Sequence, residues 1–237
     1  IITTVVGQSI GILQSMRIEQ AASLNGNRYV TFHQLSREQA QKLHEDDRVY
    51  DVGVTVFVGS TTLGNSSLNL YLREYHDNAL AMYPAISKIK EGHLPEKASE
   101  IALSEDSLRY LGLDAAVGDT VSLDMRVSVM DGSLPEFEYC GKFILTGILE
   151  SSYIGYSTGT VEGIVGNGTA EKLLPEEYLL YSTDFKTHDK KNFQSIVYDL
   201  AKNLDVEDRY IQYNWILLDA VGISYDETSN SDAGAGF

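Results

Sequence analysis

The chain of 237 residues contains one cysteine, four prolines and one tryptophan. A lone Cys140 excludes an internal disulfide framework and any multi-cysteine zinc site. Low cysteine use suits a cytosolic protein and a bacterial surface protein alike, so it leaves the compartment open. Basic residues are scarce too: 18 Lys and Arg stand against 34 Asp and Glu, a net charge of −16. Such a surface repels phosphate backbones, which argues against nucleic acid and favours cationic ligands. Long apolar runs are also missing. The opening IITTVV is too short to span a bilayer, and no basic segment precedes it. The first residue is Ile, and the far end, DETSNSDAGAGF, is acidic, small and Gly-rich. We read these as an apolar stub and a solvated linker, flanking a piece of a longer chain.

Fifteen tyrosines and a hydrophobic content of 43% point to a strand-rich globular chain. The length allows one large domain or two lobes. Residues 8–24 place Ile10, Leu13, Ile18 and Ala21 at helical spacing, which predicts a helix running out of IITTVV. RYVTFHQL (28–35) reads as a strand. Ser36 and Gln39 then form a capping box that opens a helix, and VYDVGVTVFV (49–58) is a second strand. The same order recurs late in the chain. YLLYSTDF (178–185) is a strand, followed by an Asp189-capped helix with Phe193, Ile196, Val197, Leu200, Ala201 and Leu204 on one face. RYIQYNWILL (209–218) begins as a strand.

Two strand–helix–strand units at opposite ends predict an α+β fold: a split βαβ, ferredoxin-like lobe formed by both chain ends. The domain reading is a membrane-proximal helix over 1–24, a discontinuous βαβ lobe over 25–82 and 150–222, and a linker over 223–237. Between the lobe's halves lies a small β-rich insertion, 83–149. Within it EIALS is a short strand, Ser104 an N-cap, and Glu105 and Asp106 sit in the first helical turn. Leu108 and Leu111 are expected to face inward, with Gly112 at the C′ stop. The topology places both chain ends at one edge of the sheet, with Arg28 near Tyr213, and the insertion at the other edge.

The run from Gly92 to Val121, with its order EIALSE…LGL…VGDTV, and the later FILTGIL resemble the extracytoplasmic core domain of MacB/FtsX-type ABC transporter permeases. The resemblance covers nearly the whole chain and is a structural signature without catalytic residues to carry over. It implies a non-enzymatic domain outside a bacterial membrane, between the first and second transmembrane helices, with a βαβ lobe and an inserted β-rich lobe. It also implies a cytoplasmic ATP-binding subunit as partner and a second permease copy. Export of a peptide or hydrophobic cargo, or action on an outside partner, is the role expected; the charge adds a cationic peptide as expected cargo. The alternative is a free-standing, adhesin-like surface binding module.

Other motifs carry less. GYSTG (155–159) matches the G-x-S-x-G nucleophile elbow at Ser157, but TVEGIVGNG after it has no helical period. A serine hydrolase is therefore the third and weakest reading. His33, His44, His76, His93 and His188 make no ligand pair, and HEDD (44–47) reads as a solvated helix end. DVEDR and DETSNSD lack the central Gly of an EF-hand loop. GIVGNG (163–168) lacks a second βα unit in register, which argues against phosphate binding. Asn65 and Asn167 head sequons that matter only in a eukaryotic secretory setting. Cys140 sits in an apolar strand pattern and is expected to be a buried small hydrophobe. No catalytic, cofactor-binding or metal residue is assigned, and no cofactor is expected.

Overall fold

The computed structural model describes residues 2–151 and 159–225, and only the backbone of 2–10. The chain divides into two compact units, Ile1–Val52 with Thr183–Phe237, and Gly53–Ser182.

The first unit contains both chain ends. Its sheet is built from β1 (Val30–Leu35), the start of β2 (Val49–Thr62), β9 (Tyr181–Thr187) and β10 (Ile211–Tyr213). Their spatial order is β10-β1-β9-β2. Val30 lies opposite Tyr213 in an antiparallel pair, and the Arg28 Nη2 donates to Gln212 Oε1 at 3.4 Å, so the two sequence positions expected to meet do so. Helix α2 (Arg37–His44) starts at the expected capping box. The Ser36 hydroxyl accepts from Gln39 N, and the Gln39 side chain accepts from Ser36 N. These two bonds satisfy backbone donors that the first helical turn leaves without partners.

Helix α6 (Phe193–Asn203) buries Phe193, Val197, Leu200 and Ala201, the spacing read from the sequence. Its cap differs from the expectation. Asn192 is the N-cap residue, and Asp189 accepts from the Lys191 and Asn192 N–H groups one turn earlier. The core of this unit joins Phe32 and Phe185, whose rings meet edge-on at 5.0 Å, to Leu35, Leu43 and the apolar face of α6.

Helix α1 (Ile2–Asn25) packs on α7 (Trp215–Val221). Ala21 is buried, while Ile12, Leu13 and Met16 are exposed. Asn214, fully buried, ties the two helices to β1. Its Nδ2 donates to the carbonyls of Gly26 (2.8 Å) and Arg28 (2.9 Å), and its Oδ1 accepts from Leu217 N. Among the described residues no helix is long and apolar enough to cross a membrane.

The second unit is a sheet that closes on itself. Its strands are the remainder of β2, β3 (Asn69–Asp77), β4 (Ile89–Gly92), β5 (Glu100–Ser104), β6 (Thr120–Val127), β7 (Phe137–Leu149) and β8 (Thr160–Val165). β2 pairs with β3, β3 with β8, β8 with β5, β5 with β7, β7 with β6, and β6 returns to β2. β4 lies outside this ring, on β7. Strand β6 alternates strictly, with Val121, Leu123, Met125 and Val127 inward and Thr120, Ser122, Asp124 and Arg126 outward. The inward residues join Leu70, Leu72, Ile101, Leu103, Phe143 and Leu145 in one core cluster.

Three short helices decorate this unit: α3 (Ala79–Met82), α4 (Glu105–Tyr110) and α5 (Thr169–Leu173). In α4 the Ser104 hydroxyl accepts from Ser107 N, and Gly112 takes φ of 69°, as its C′ position requires. Leu108 is buried, while Leu111 occupies the C-cap and is only half-buried against the core. The densely patterned run 92–123 therefore supplies β5 and the start of β6, two walls of the closed sheet, with α4 between them and the end of β4 outside the ring. The units meet the chain at 52/53 and 182/183, whereas the recurring strand–helix–strand pattern set the lobe limits at 82/83 and 149/150. The difference arises because β3 and β8 pair with each other in parallel and β8 pairs with β5, which draws 53–82 and 159–182 to the inserted strands.

Candidate functional site

The residues with chemical potential are dispersed. His33 bonds Gln212 Oε1 at 3.1 Å, His93 Nδ1 lies 2.9 Å from the Leu94 carbonyl, and His188 stacks on Tyr50 at 4.7 Å. In the HEDD segment, Asp46 forms a two-point contact with Arg48 at 2.8 Å, and the guanidinium holds its carboxyl below the usual range. Among the described residues no group of three or more His, Cys, Asp or Glu could hold a metal ion. Ser157 of the elbow motif and the DETSNSD segment lie outside the described residues.

Cys140 corrects the sequence reading: it is exposed. It stands opposite Asp124 on the outward face of the β6–β7 hairpin, between the exposed Glu138 and Lys142. A hydrogen bond to the Asp124 carboxylate raises its thiol pKa and so keeps it protonated. The missed signal was phase. Glu138 and Lys142, two residues to either side, place Cys140 on the charged face of a period-two strand.

GIVGNG does run from a strand into a helix, β8 to α5, yet the helix N-terminus is already filled. Glu74 of β3, 2% exposed, directs Oε1 at the Ala170 N–H and Oε2 at the Gly168 N–H (3.3 Å). His76 Nε2 lies 3.0 Å from the same Oε2. Gly166 abuts backbone: a Cβ there would meet the Lys97 carbonyl oxygen at 2.0 Å. The glycines thus serve close packing, and the anion at the helix start belongs to the chain itself.

A second charged cluster lies on the other face of β3. Arg73 lies over the rings of Phe57 (5.7 Å) and Tyr71 (5.5 Å) and pairs with Glu162 at 2.8 Å. Burial pushes the Glu162 carboxyl up, and the guanidinium pulls it back. This pair is internally neutralised and anchors β3 to β8.

β6 returns to β2 along a short line. Among the described residues only Ser60 and Arg126 pair across it. Arg126 Nη2 donates to Thr62 Oγ1 at 3.2 Å, and the Tyr139 hydroxyl donates to the Val58 carbonyl at 2.7 Å. Beside these contacts lies a cleft of about 520 Å³ lined by Ser60, Thr61, Thr62, Asp124, Arg126 and Glu138. Its walls mix the Ser60, Thr61 and Thr62 hydroxyls and two carboxylates with the Arg126 guanidinium, Met125 and Tyr139, a surface suited to hydrogen bonding.

No protein-family model and no curated protein matches the chain. Among solved structures it is similar to a domain of a putative permease protein from Porphyromonas gingivalis, at 11% identity and a TM-score of 0.41, over 77% of this chain and 82% of that one. It is also similar to the periplasmic region of MacB from Actinobacillus actinomycetemcomitans, at 12% identity and a TM-score of 0.46, over 86% of this chain and 96% of that one.

Proposed function

We propose that the chain is the extracytoplasmic domain of a MacB/FtsX-type ABC transporter permease, a non-enzymatic part that couples membrane-helix motion to cargo or to an outside partner. The observation that carries this reading is the insertion topology. One unit contains both chain ends, and the other is a single continuous insertion leaving it at 52/53 and returning at 182/183. The first and last strands, β1 and β10, pair in that unit, which suits a domain attached through both its ends. The order β10-β1-β9-β2, with a helix after β1 and another after β9, supports the split ferredoxin-like reading of the end unit. The EIALSE…LGL…VGDTV resemblance supports the family assignment.

The first sixteen residues carry no Asp, Glu, Lys or Arg, and Ile12, Leu13 and Met16 of α1 are exposed. Both features support a membrane-proximal place for α1. In this reading ATP is handled by a separate cytoplasmic subunit, a second permease copy completes the transporter, and a cationic peptide is the preferred cargo class.

The test uses the whole protein in cells. A membrane-impermeant maleimide should label Cys140 from outside, with Cys140→Ser as control, and the detergent-solubilised protein should co-purify with an ATP-binding subunit. Labelling only after lysis, or purification from the soluble fraction without an ATP-binding partner, would refute the proposal.

A further inference from the structure

We infer that the β2–β6 seam is a docking site where an extended, basic segment of a partner adds as a strand to the open edge of β6. This goes beyond the permease reading and does not depend on it. On one side β6 pairs with β7 along all eight residues, without a register shift. On its other side, among the described residues, it pairs with β2 only at Arg126. Thr120 to Met125 therefore present an edge with a ladder on one side alone.

Closed barrels remove such edges, and open sheets blunt them with Pro, Lys or bulges. The sequence TVSLDMRV has no Pro and no Lys, and its ladder has no bulge. The edge is also rigid, because Val121, Leu123, Met125 and Val127 are locked in the core. A preorganised edge accepts an added strand without first ordering itself.

Charge selects the occupant. The second unit carries 18 Asp and Glu against 8 Lys and Arg, net −10. At the seam Asp124 and Glu138 line the cleft, Arg126 there donates to Thr62, and Lys142 stands opposite Ser122, so the cationic preference rests on the unit's net charge and on Asp124 at the edge itself. The cleft, about 520 Å³, lies within the roughly 300–1,000 Å³ of ligand-binding clefts. A guest strand with a Lys or Arg opposite Asp124 would set that side chain beside its carboxylate while its backbone completes the ladder, with Glu138 one strand further away on β7. A second copy of this chain brings −16 of like charge and is disfavoured there.

The experiment uses the 237-residue chain with three capped nine-residue peptides: alternating lysine and valine, a twin with glutamate for lysine, and a lysine–valine peptide with a central proline. Amide hydrogen exchange and a binding isotherm are read at low and physiological salt. The lysine peptide should slow exchange at Ser122–Met125, bind more weakly as salt rises, and lose affinity when proline interrupts its backbone. Asp124→Asn and Glu138→Gln, both exposed and without a role in the core, should each weaken binding by about twofold to fivefold. Ser122→Pro should abolish it, and the two charge variants keep the test valid if that variant fails to fold. Equal binding of the glutamate twin, or no protection of β6 at millimolar lysine peptide, would overturn the inference. Protection of the edge that rises with protein concentration in the absence of peptide would overturn it in favour of self-association.

Discussion

Glu74 offers the sharpest test of how the inserted unit is held together. A carboxylate buried to 2% exposure survives only if its charge is met, and here two backbone N–H groups at the start of α5 and His76 meet it. Glu74→Ala removes the acceptor and leaves the Ala170 and Gly168 donors facing a cavity. A hydrogen bond to a buried charged group contributes about 1.5–3 kcal/mol, and an orphaned buried donor costs about 1–3 kcal/mol. With solvent able to reach part of the vacated space, the net loss should be roughly 3–5 kcal/mol.

Glu74→Gln keeps the shape and one carbonyl oxygen but turns an NH₂ group toward a donor, so it should cost roughly 1–3 kcal/mol. Urea unfolding with an unchanged slope gives the totals, and exchange of the Ala170 amide gives the local effect. Glu74→Leu separates charge satisfaction from volume: it fills the space and still strands both donors, so it should fall below Glu74→Gln. A Glu74→Ala variant within about 1 kcal/mol of the parent, or a Glu74→Leu variant more stable than the parent, would refute this account.

Three further outcomes follow from named contacts. Asn214→Asp should destabilise more than Asn214→Ala, because it sets a carboxylate against the Gly26 and Arg28 carbonyls; Ala itself should cost about 2–3 kcal/mol by thermal or urea unfolding. Native Cys140 should react completely with a thiol reagent without denaturant, and Asp124→Asn should speed the reaction near neutral pH by lowering the thiol pKa. Protection of Cys140 in the folded chain would contradict its placement. Glu100 accepts from the Glu96 and Lys97 N–H groups, which lowers its carboxyl below the ordinary 4.5. Its stabilisation is therefore present above pH 4.5 and lost as pH falls through the lower folded value. Glu100→Gln should cost about 1 kcal/mol near neutrality, with the gap closing in acid; a gap constant to pH 3 would disprove the linkage.

Local signals in the sequence translated well where one element satisfies its own requirements. The Ser36–Gln39 capping box, the apolar face of α6, and the Ser104-to-Gly112 helix all depend on neighbours within a few residues. The third case also explains why 92–123 is so patterned without chemistry: it alternates cap, core face and stop to build β5, α4 and the start of β6. What stayed illegible depends on distant partners. NLYLREYHD gives no sign that Glu74 is buried while Arg73 beside it is half-exposed, because the partner of Glu74 is 96 residues away. Asp189 looked like a cap, since Asp before an amphipathic helix is a good one, but the chain takes a further turn to Asn192 before the helix begins. The seam was equally invisible, because the return of β6 to β2 joins Ser60 to Arg126 across four intervening strands.

The unit limits show the same physics from another side. Composition finds a boundary where an exposed Gly, Pro or Ser-rich linker separates two cores. At 52/53 the chain is inside β2, and at 182/183 it is inside β9, so neither crossing has a linker. Residues before 53 serve one unit: Asp51 pairs with Lys186 at 2.9 Å, and Arg48 O accepts from His188 N. Residues after it serve the other: Val56 and Val58 enter the closed sheet's core, and Gly53 lies so near Ala79 that a Cβ would meet its Cα at 2.5 Å. The strand's alternation slips by one residue at the crossing: Val49 is buried, Asp51 follows with φ of 52°, and the valines resume out of phase at Val52, Val54, Val56 and Val58. A slip of phase at one polar residue, with no Gly, Pro or Ser-rich linker beside it, is a faint mark, and the register of the neighbouring strands is what reveals where one unit ends.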